Sequence, residues 1–478
     1  MVSIFKFSIL AVMIAAIYKY ISISTESRPP PEWFMDAKFG VMIHYGVYSV
    51  PAWAPLVDPN EQLTSPDLYC HNPYAAWYQN SMMIPNCSTY NYHLATYGRN
   101  VSYWDFKDEF DTQSEKLNVT EDWLNPIEAS LAKYVVLVTK HHDGMTLWNS
   151  SRRSSKINIV DNYAKELSRT NLTLGLYYSG GFDWSFTNVS YTNYINSSSD
   201  AAQHIPQSNE YVAIVTNHYK YLIDTYKPKY LWNDIALPRG VDVKALLDYY
   251  YSVVPDGGIN DRRSQSLGLL FINTLNEWAL WFRRTFIEDF SIRSLEYAPS
   301  YPKTKYYWEA DRGVGWDFSY NVNDFVNHTW SPKEAIDFII MASANGGNLL
   351  LAVTPYANGS LPQNQIDVLK DIGSWLFVYG STIFKTRPIF EKLSLHWTQY
   401  RSESNREWNV FIPCCSSTMT LLKVDMPNDI PKNFSINSLD NNCNFTEDIS
   451  KVHIDLSCIV DGRSRYFNYS IPLTFKSI

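Results

Sequence analysis

Short apolar runs, each closed by a polar or ionisable residue, recur along this chain ahead of longer segments with helical spacing. The runs occupy 41–44, 134–140 (continuing into His141), 172–178, 230–234, 258–262 and 348–354. Between them, 119–133, 210–226 and 243–254 repeat apolar residues at the three- and four-residue steps of a helix face. Alternation of this kind implies a parallel sheet with helices packed against it. Polar side chains at the ends of successive strands favour a (β/α)8-like TIM barrel, whose active sites gather at the strand C-termini. An open doubly wound sheet is the competing architecture, but no Gly-rich phosphate loop follows the first run.

The pattern changes after a helical segment at 363–379 and Phe384-Lys385-Thr386-Arg387-Pro388. Short alternating runs at 407–412, 418–424 and 451–456, separated by Asn- and Pro-rich turns, predict a C-terminal antiparallel β-sandwich. The expected organisation is a signal peptide over 1–24, a catalytic barrel over 25–388 and a β-sandwich over 389–478.

Lys6, the apolar stretch 7–17 and Ser22-Ile23-Ser24 resemble a secretory signal with a small-x-small cleavage site. The stretch is shorter than the roughly 18–20 residues a bilayer span requires, so no stable membrane span is expected, a retained anchor being the alternative. Asn-x-Ser/Thr triplets at Asn86, Asn100, Asn118, Asn149, Asn171, Asn188, Asn196, Asn327, Asn358, Asn433, Asn444 and Asn468 fit a secreted or lysosomal protein. Of six cysteines, Cys70 and Cys87 form the natural local pair, while Cys414, Cys415, Cys443 and Cys458 allow three pairings. A bond between the adjacent Cys414 and Cys415 would be strained. The net charge of −8 argues against nucleic acid, which needs clustered Lys and Arg. With 16 Trp and 35 Tyr the chain carries many rings, suited either to a large aromatic core or to stacking on pyranose faces.

Asp234 closes the run Tyr230-Leu231-Trp232-Asn233, as a helix cap or as a catalytic carboxylate at a barrel mouth. Asp289, Glu296 and Glu309 follow on later segments, and any of them could face it. Retaining glycoside hydrolysis uses two carboxyl groups, one ionised and one protonated. His44 ends the first run, and His141-His142-Asp143-Gly144 ends another. Adjacent strand residues point to opposite faces, so a metal site at the two neighbouring histidines is not expected. Their imidazoles suit sugar hydroxyls instead, or satisfaction within the core.

In order along the chain stand Pro31-Glu32-Trp33-Phe34, Ile43-His44-Tyr45-Gly46, Thr139-Lys140-His141-His142-Asp143-Gly144, Gly175-Leu176-Tyr177-Tyr178-Ser179, Leu231-Trp232-Asn233-Asp234, Asn260-Asp261-Arg262 and Asn345-Gly346-Gly347-Asn348. Together these motifs resemble the α-L-fucosidases of glycoside hydrolase family 29. The resemblance spans about residues 29–388. It implies a retaining hydrolysis of terminal α-L-fucose from glycans or glycoproteins, with Asp234 as nucleophile and Glu296 as acid/base. Glu309 is the runner-up for the second role and Asp289 the third. By the same resemblance His44, Trp77, His141, His142, Tyr178, Trp232 and Arg262 line the sugar pocket. Arg262 is expected to stabilise the charge of Asp234, and Phe318 to pack on the fucose methyl. No cofactor or metal is implied, fucosylated glycans or glycoproteins are the expected partners, and a homo-oligomer is left open.

Three positions depart from the family pattern. Ala76 precedes Trp77 where many members carry Glu, Tyr45 stands where Trp is usual, and Arg263 replaces another Trp. The segment 264–288 adds an apolar, Trp-containing stretch read as a flap or packed insertion. A fucose-binding protein with little turnover and a hydrolase for another deoxy- or hexopyranoside are the competing readings.

Overall fold

The computed structural model describes residues 28–401 apart from 59–66, 151–152, 187–193, 196–200, 202, 264–291, 299, 305–306, 325–327, 392 and 394; beyond 401 it describes 406–412, 421–428, 430, 434–438, 441–442, 445–448, 451–455 and 470–477. The signal segment, the stretch 264–288, Asp289, the four C-terminal cysteines and the asparagines of six glycosylation triplets lie outside these residues.

Eight strands form one sheet: β1 (Phe39–Ile43), β2 (Tyr134–Lys140), β3 (Thr173–Ser179), β4 (Tyr230–Asp234), β5 (Gly258–Ile259), β6 (Arg293–Glu296), β7 (Trp308–Gly313) and β8 (Gly347–Val353). Their order is β5-β4-β3-β2-β1-β8-β7-β6, and every neighbouring pair is parallel. A parallel bridge between Asn260 and Ile292 joins the ends of the two edge strands, so the sheet curls back on itself as a TIM-like barrel. β2 reads Tyr-Val-Val-Leu-Val-Thr-Lys and is buried throughout, as expected for a strand covered on both faces. β6 and β7 have no such apolar run, since Glu309 and Asp311 lie among their buried residues. That is why neither strand stands out in the sequence.

The helices follow their local chemistry. In Pro332–Asn345, Ser331 and Glu334 form a capping box and Pro332 occupies the first turn. The helix stops at Gly346 in the left-handed region (φ 85°), which turns the chain directly into β8. One core cluster lies between strands and helices; a second, with Met42, Tyr134, Tyr177, Tyr230, Trp232 and Leu350, fills the barrel interior.

The C-terminal strands are antiparallel, in a six-stranded and a three-stranded sheet. The six-stranded sheet begins with β9 (Thr386–Pro388), which pairs with β10 (His396–Arg401). The second sheet therefore starts a few residues before the sequence expectation at 388. It docks on the barrel through Trp375 Nε1, which donates to the carbonyl of Ser470 at 3.1 Å, and Ser470 Oγ, which donates to Asp337 at 2.7 Å. Cys70 and Cys87 are joined in a disulfide. Asn86, Asn100, Asn118, Asn149 and Asn171 are exposed, and Asn358 partly so. No helix among the described residues is long and apolar enough to cross a membrane.

Candidate active site

A cavity of about 960 Å³, including its open mouth, sits at the C-terminal ends of the barrel strands. That is room for a sugar ring and the first part of what it is attached to. His44, Trp77, His141, His142, Trp232, Asp234, Arg262, Glu296 and Phe318 line it, as the family resemblance implies.

Asp234 is the last residue of β4. Its Oδ1 accepts from Arg262 Nε at 3.1 Å and from the backbone N–H of Ile235 at 2.9 Å; Oδ2 accepts from Tyr177 Oη at 2.6 Å. Ile235 and Ala236 then adopt left-handed backbone (φ 49° and 64°), uncommon for residues with a Cβ and strained for a branched one. Ala236 N–H is tied to the carbonyl of Arg262 at 2.9 Å, and Asn233 and Asn260 exchange hydrogen bonds at 3.0 and 2.9 Å. These ties couple the ends of β4 and β5, so Asp234 and Arg262 are placed as a unit.

Arg262 spreads three carboxylates over its fork. Besides Asp234 on Nε, Glu296 Oε2 sits 2.7 Å from Nη2, and Asp311 Oδ2 sits 3.3 Å from Nη1. Burial works against the guanidinium charge, but the three carboxylates outweigh it and raise its pKa well above the ordinary value. Glu296 closes β6, remains partly exposed, and accepts weakly from Tyr74 Oη at 3.5 Å. Tyr297 after it is also left-handed (φ 38°), so strained backbone follows both carboxylates at the mouth.

The histidines are held neutral. Burial, then the charge of His142, pushes the His44 pKa down to about 3. Burial leads the same shift at His141 and His142, with Lys140 and Arg262 next for His142. A neutral imidazole can both donate to and accept from a hydroxyl. The two neighbouring histidines lie past the end of β2, so the alternation expected to separate them does not apply. Their rings pack at 3.9 Å and both face the cavity.

One ligand atom from each of His141, His142 and Asp234 falls within 4.8 Å of the others, a spacing a cation could bridge. Both oxygens of Asp234 are already engaged, and the nearest charge is the Arg262 cation. Against a divalent ion, this donor set fits poorly.

Two sequence expectations are corrected. Tyr178 does not line the pocket: it points to the helix side of β3, its hydroxyl 3.1 Å from His218 Nδ1 and its ring 4.8 Å from Tyr219. Its neighbour Tyr177 takes the inward face, bonded to Asp234 and stacked on Trp232 at 5.1 Å. Glu309, the runner-up acid/base, is fully buried below the cavity and accepts from Tyr134, Tyr230 and Trp232. Such a group cannot reach a glycosidic oxygen.

A family model described as Alpha-L-fucosidase matches residues 10–381. The chain belongs to the α-L-fucosidase family. It is 30% identical over 380 residues to an alpha-L-fucosidase of Dictyostelium discoideum, covering 76% of this chain and 73% of that one. To the human tissue alpha-L-fucosidase it is 26% identical, covering 76% and 71%. A Thermotoga maritima alpha-fucosidase solved in complex with fucose superposes with a TM-score of 0.76 at 29% identity, covering 94% of this chain and 97% of that one. The chain is accordingly a glycoside hydrolase.

Within this α-L-fucosidase the sequence reading missed Tyr177, Asp311, Tyr74 and Asn72, all on the cavity wall. For Asp311 the available signal was its place two residues after Glu309, which puts both on one face of a strand. Ala76 does face the cavity, leaving apolar surface where the family resemblance implies a carboxylate. Tyr45 and Arg263 do not: Tyr45 packs between Phe110 and Trp123, and Arg263 caps the carbonyl of Asn260 at 2.7 Å.

Proposed function

We propose that this enzyme hydrolyses terminal α-L-fucosides of glycans or glycoproteins with retention, Asp234 acting as nucleophile and Glu296 as acid/base. The observation that carries the reading is the sharing of one guanidinium, Arg262, by both carboxylates at the mouth of the barrel. Arg262 and Tyr177 favour the negative charge of Asp234, which attacks the anomeric carbon while Glu296 protonates the departing oxygen. Water, deprotonated by Glu296, then releases fucose from the covalent glycosyl-enzyme. His44, His141, His142 and Trp77 hold the sugar hydroxyls, and Phe318 with Trp232 packs on its apolar face and methyl.

The enzyme is proposed to act in the secretory pathway, exported or lysosomal. The N-terminal apolar segment, the exposed glycosylation triplets and the Cys70–Cys87 disulfide support that assignment.

Release of 4-nitrophenol from its α-L-fucoside tests the mechanism. Glu296→Ala should lose most activity and regain it with azide, giving a glycosyl azide of retained configuration. Wild-type protein that binds fucose but turns over nothing from acid to neutral pH would replace this reading with a binding protein.

A further inference from the structure

We infer that Glu309 and Asp311 are positioning residues for the hydrolysis: Glu309 sets the indole of Trp232, and Asp311 sets the guanidinium of Arg262. The inference rests on the roles given above to Asp234 and Glu296.

The two carboxylates are alternate residues of β7, so both face the barrel interior, about 6.6 Å apart along the strand. Asp311 pairs in register with Glu296 of β6, and Glu309 with Ser294 one step below. The strand thus delivers one carboxylate to the level of the reacting groups and one to the layer beneath.

Glu309 Oε1 accepts from Tyr230 Oη at 2.9 Å and from Trp232 Nε1 at 3.1 Å, while Oε2 accepts from Tyr134 Oη. Burial pushes its carboxyl up to about 7, and the three donors pull the other way. A buried carboxyl is costly where an apolar residue could fill the space, so its three directed bonds point to a role in orientation. The indole it pins by the edge is held on one face by Tyr177, and the Arg262 guanidinium lies 5.2 Å from the ring centroid. Without Glu309, nothing else described bonds the Trp232 N–H.

Asp311 does the same for Arg262. Its Oδ1 accepts from Ser294 Oγ at 2.7 Å and its Oδ2 takes the Nη1 end of the fork. With Nη1 held, Nε and Nη2 can meet Asp234 and Glu296 only in one orientation. Asp311 lines the cavity but is 2% exposed, whereas Glu296 stands at the open mouth where a leaving group departs.

The test uses full-length protein and two substrates, the 4-nitrophenyl α-L-fucoside and a fucosyl disaccharide with a poor leaving group. Asp311→Asn should lower kcat about 10- to 100-fold, by the same factor on both substrates, with KM within about threefold and no rescue by azide. Its kcat/KM pH profile should also move, because burial raises the Asp311 carboxyl well above the ordinary carboxylate range and the substitution removes that titrating group from beside Arg262. Glu309→Gln should chiefly raise KM, about five- to tenfold, because the sugar platform is loosened while the nucleophile is not. A fucose-induced rise in melting temperature certifies that each variant has a folded pocket. Ser294→Ala, which removes only the second bond of Asp311, serves if Asp311→Asn does not fold, and should cost kcat about three- to tenfold.

Azide rescue of Asp311→Asn, with loss confined to the poor leaving group, would make Asp311 a proton donor and overturn the inference. So would kinetics of both variants within twofold of wild type. Failure of the underlying roles shows separately, as near-normal turnover in Asp234→Asn or an unimpaired Glu296→Ala.

Discussion

The two walls of the pocket are built by different means. On one side stand strand ends and the residues just beyond them: His141, His142, Tyr177, Asp234, Arg262, Glu296 and Asp311, knit by hydrogen bonds and ion pairs. On the other, Leu68, Tyr69, Asn72, Tyr74, Ala76 and Trp77 come from one excursion clamped by the Cys70–Cys87 disulfide. That excursion is tied to the barrel by side-chain packing around Phe182, Ala201 and Ile235, and by polar bonds such as Ala75 N–H to Asp317 Oδ2 at 2.7 Å. The strand wall is positioned by the register of eight parallel strands and tolerates little movement. The loop wall can change its sequence, as at Ala76, without disturbing that register. On the roles proposed above, the reacting groups belong to the first wall, and we propose that the second tunes sugar binding.

Substitutions on each side should separate accordingly. The largest effect is expected at Asp234→Asn, with kcat reduced about ten-thousand-fold and fucose still bound; normal turnover would break the assignment of chemistry to the strand wall. Replacing both Cys70 and Cys87 by Ser should cost about 3 kcal/mol of stability. Kinetics on that variant should show a raised KM and a nearly unchanged kcat, whereas a collapse of kcat would mean the loop also orders the reacting groups. Tyr177→Phe removes a charge-assisted bond to Asp234 and should cost about 1.5–3 kcal/mol of transition-state stabilisation, read in kcat/KM. Tyr178→Phe, one residue away, should leave kcat/KM within about twofold and lose about 1 kcal/mol in denaturant melts.

The acid response should also belong to the strand wall. The folded His44 pKa, about 3, lies below its ordinary 6.5, so the unfolded chain binds the extra proton as pH falls. Its contribution is intact above about pH 6.5 and is lost downward toward pH 3, at about 1.4 kcal/mol per pH unit. Buried carboxyls raised by burial, Asp317 to about 7 and Asp143 to about 6, work in the opposite direction over much of that range. His44→Gln should therefore flatten the acid limb of stability, measured by denaturant melts from pH 7 to 4; an unchanged slope would place the sensitivity elsewhere. A modest effect on selectivity is expected at Phe318→Ala, where preference for fucoside over the matching galactoside should fall about fourfold, the worth of one buried methyl.

The strand–helix alternation was written plainly enough to give the barrel, because strands covered on both faces must be apolar, as β2 is. The segment 363–379 likewise announced a helix, and Asp234 stood at the end of its run. β6 and β7 escaped the same logic, since their inward faces carry carboxylates that only neighbouring donors make tolerable.

The sequence by itself determined the order of the elements, the end of each run and the residue types available at the mouth. Only the tertiary structure decided between Tyr177 and Tyr178, brought His141 and His142 to the same side, and set Asp311 on the fork of Arg262. Alternation along a strand says which residues share a face but leaves open which face turns inward. That phase is set by pairing with neighbouring strands around the closed barrel, through contacts between residues far apart in the chain.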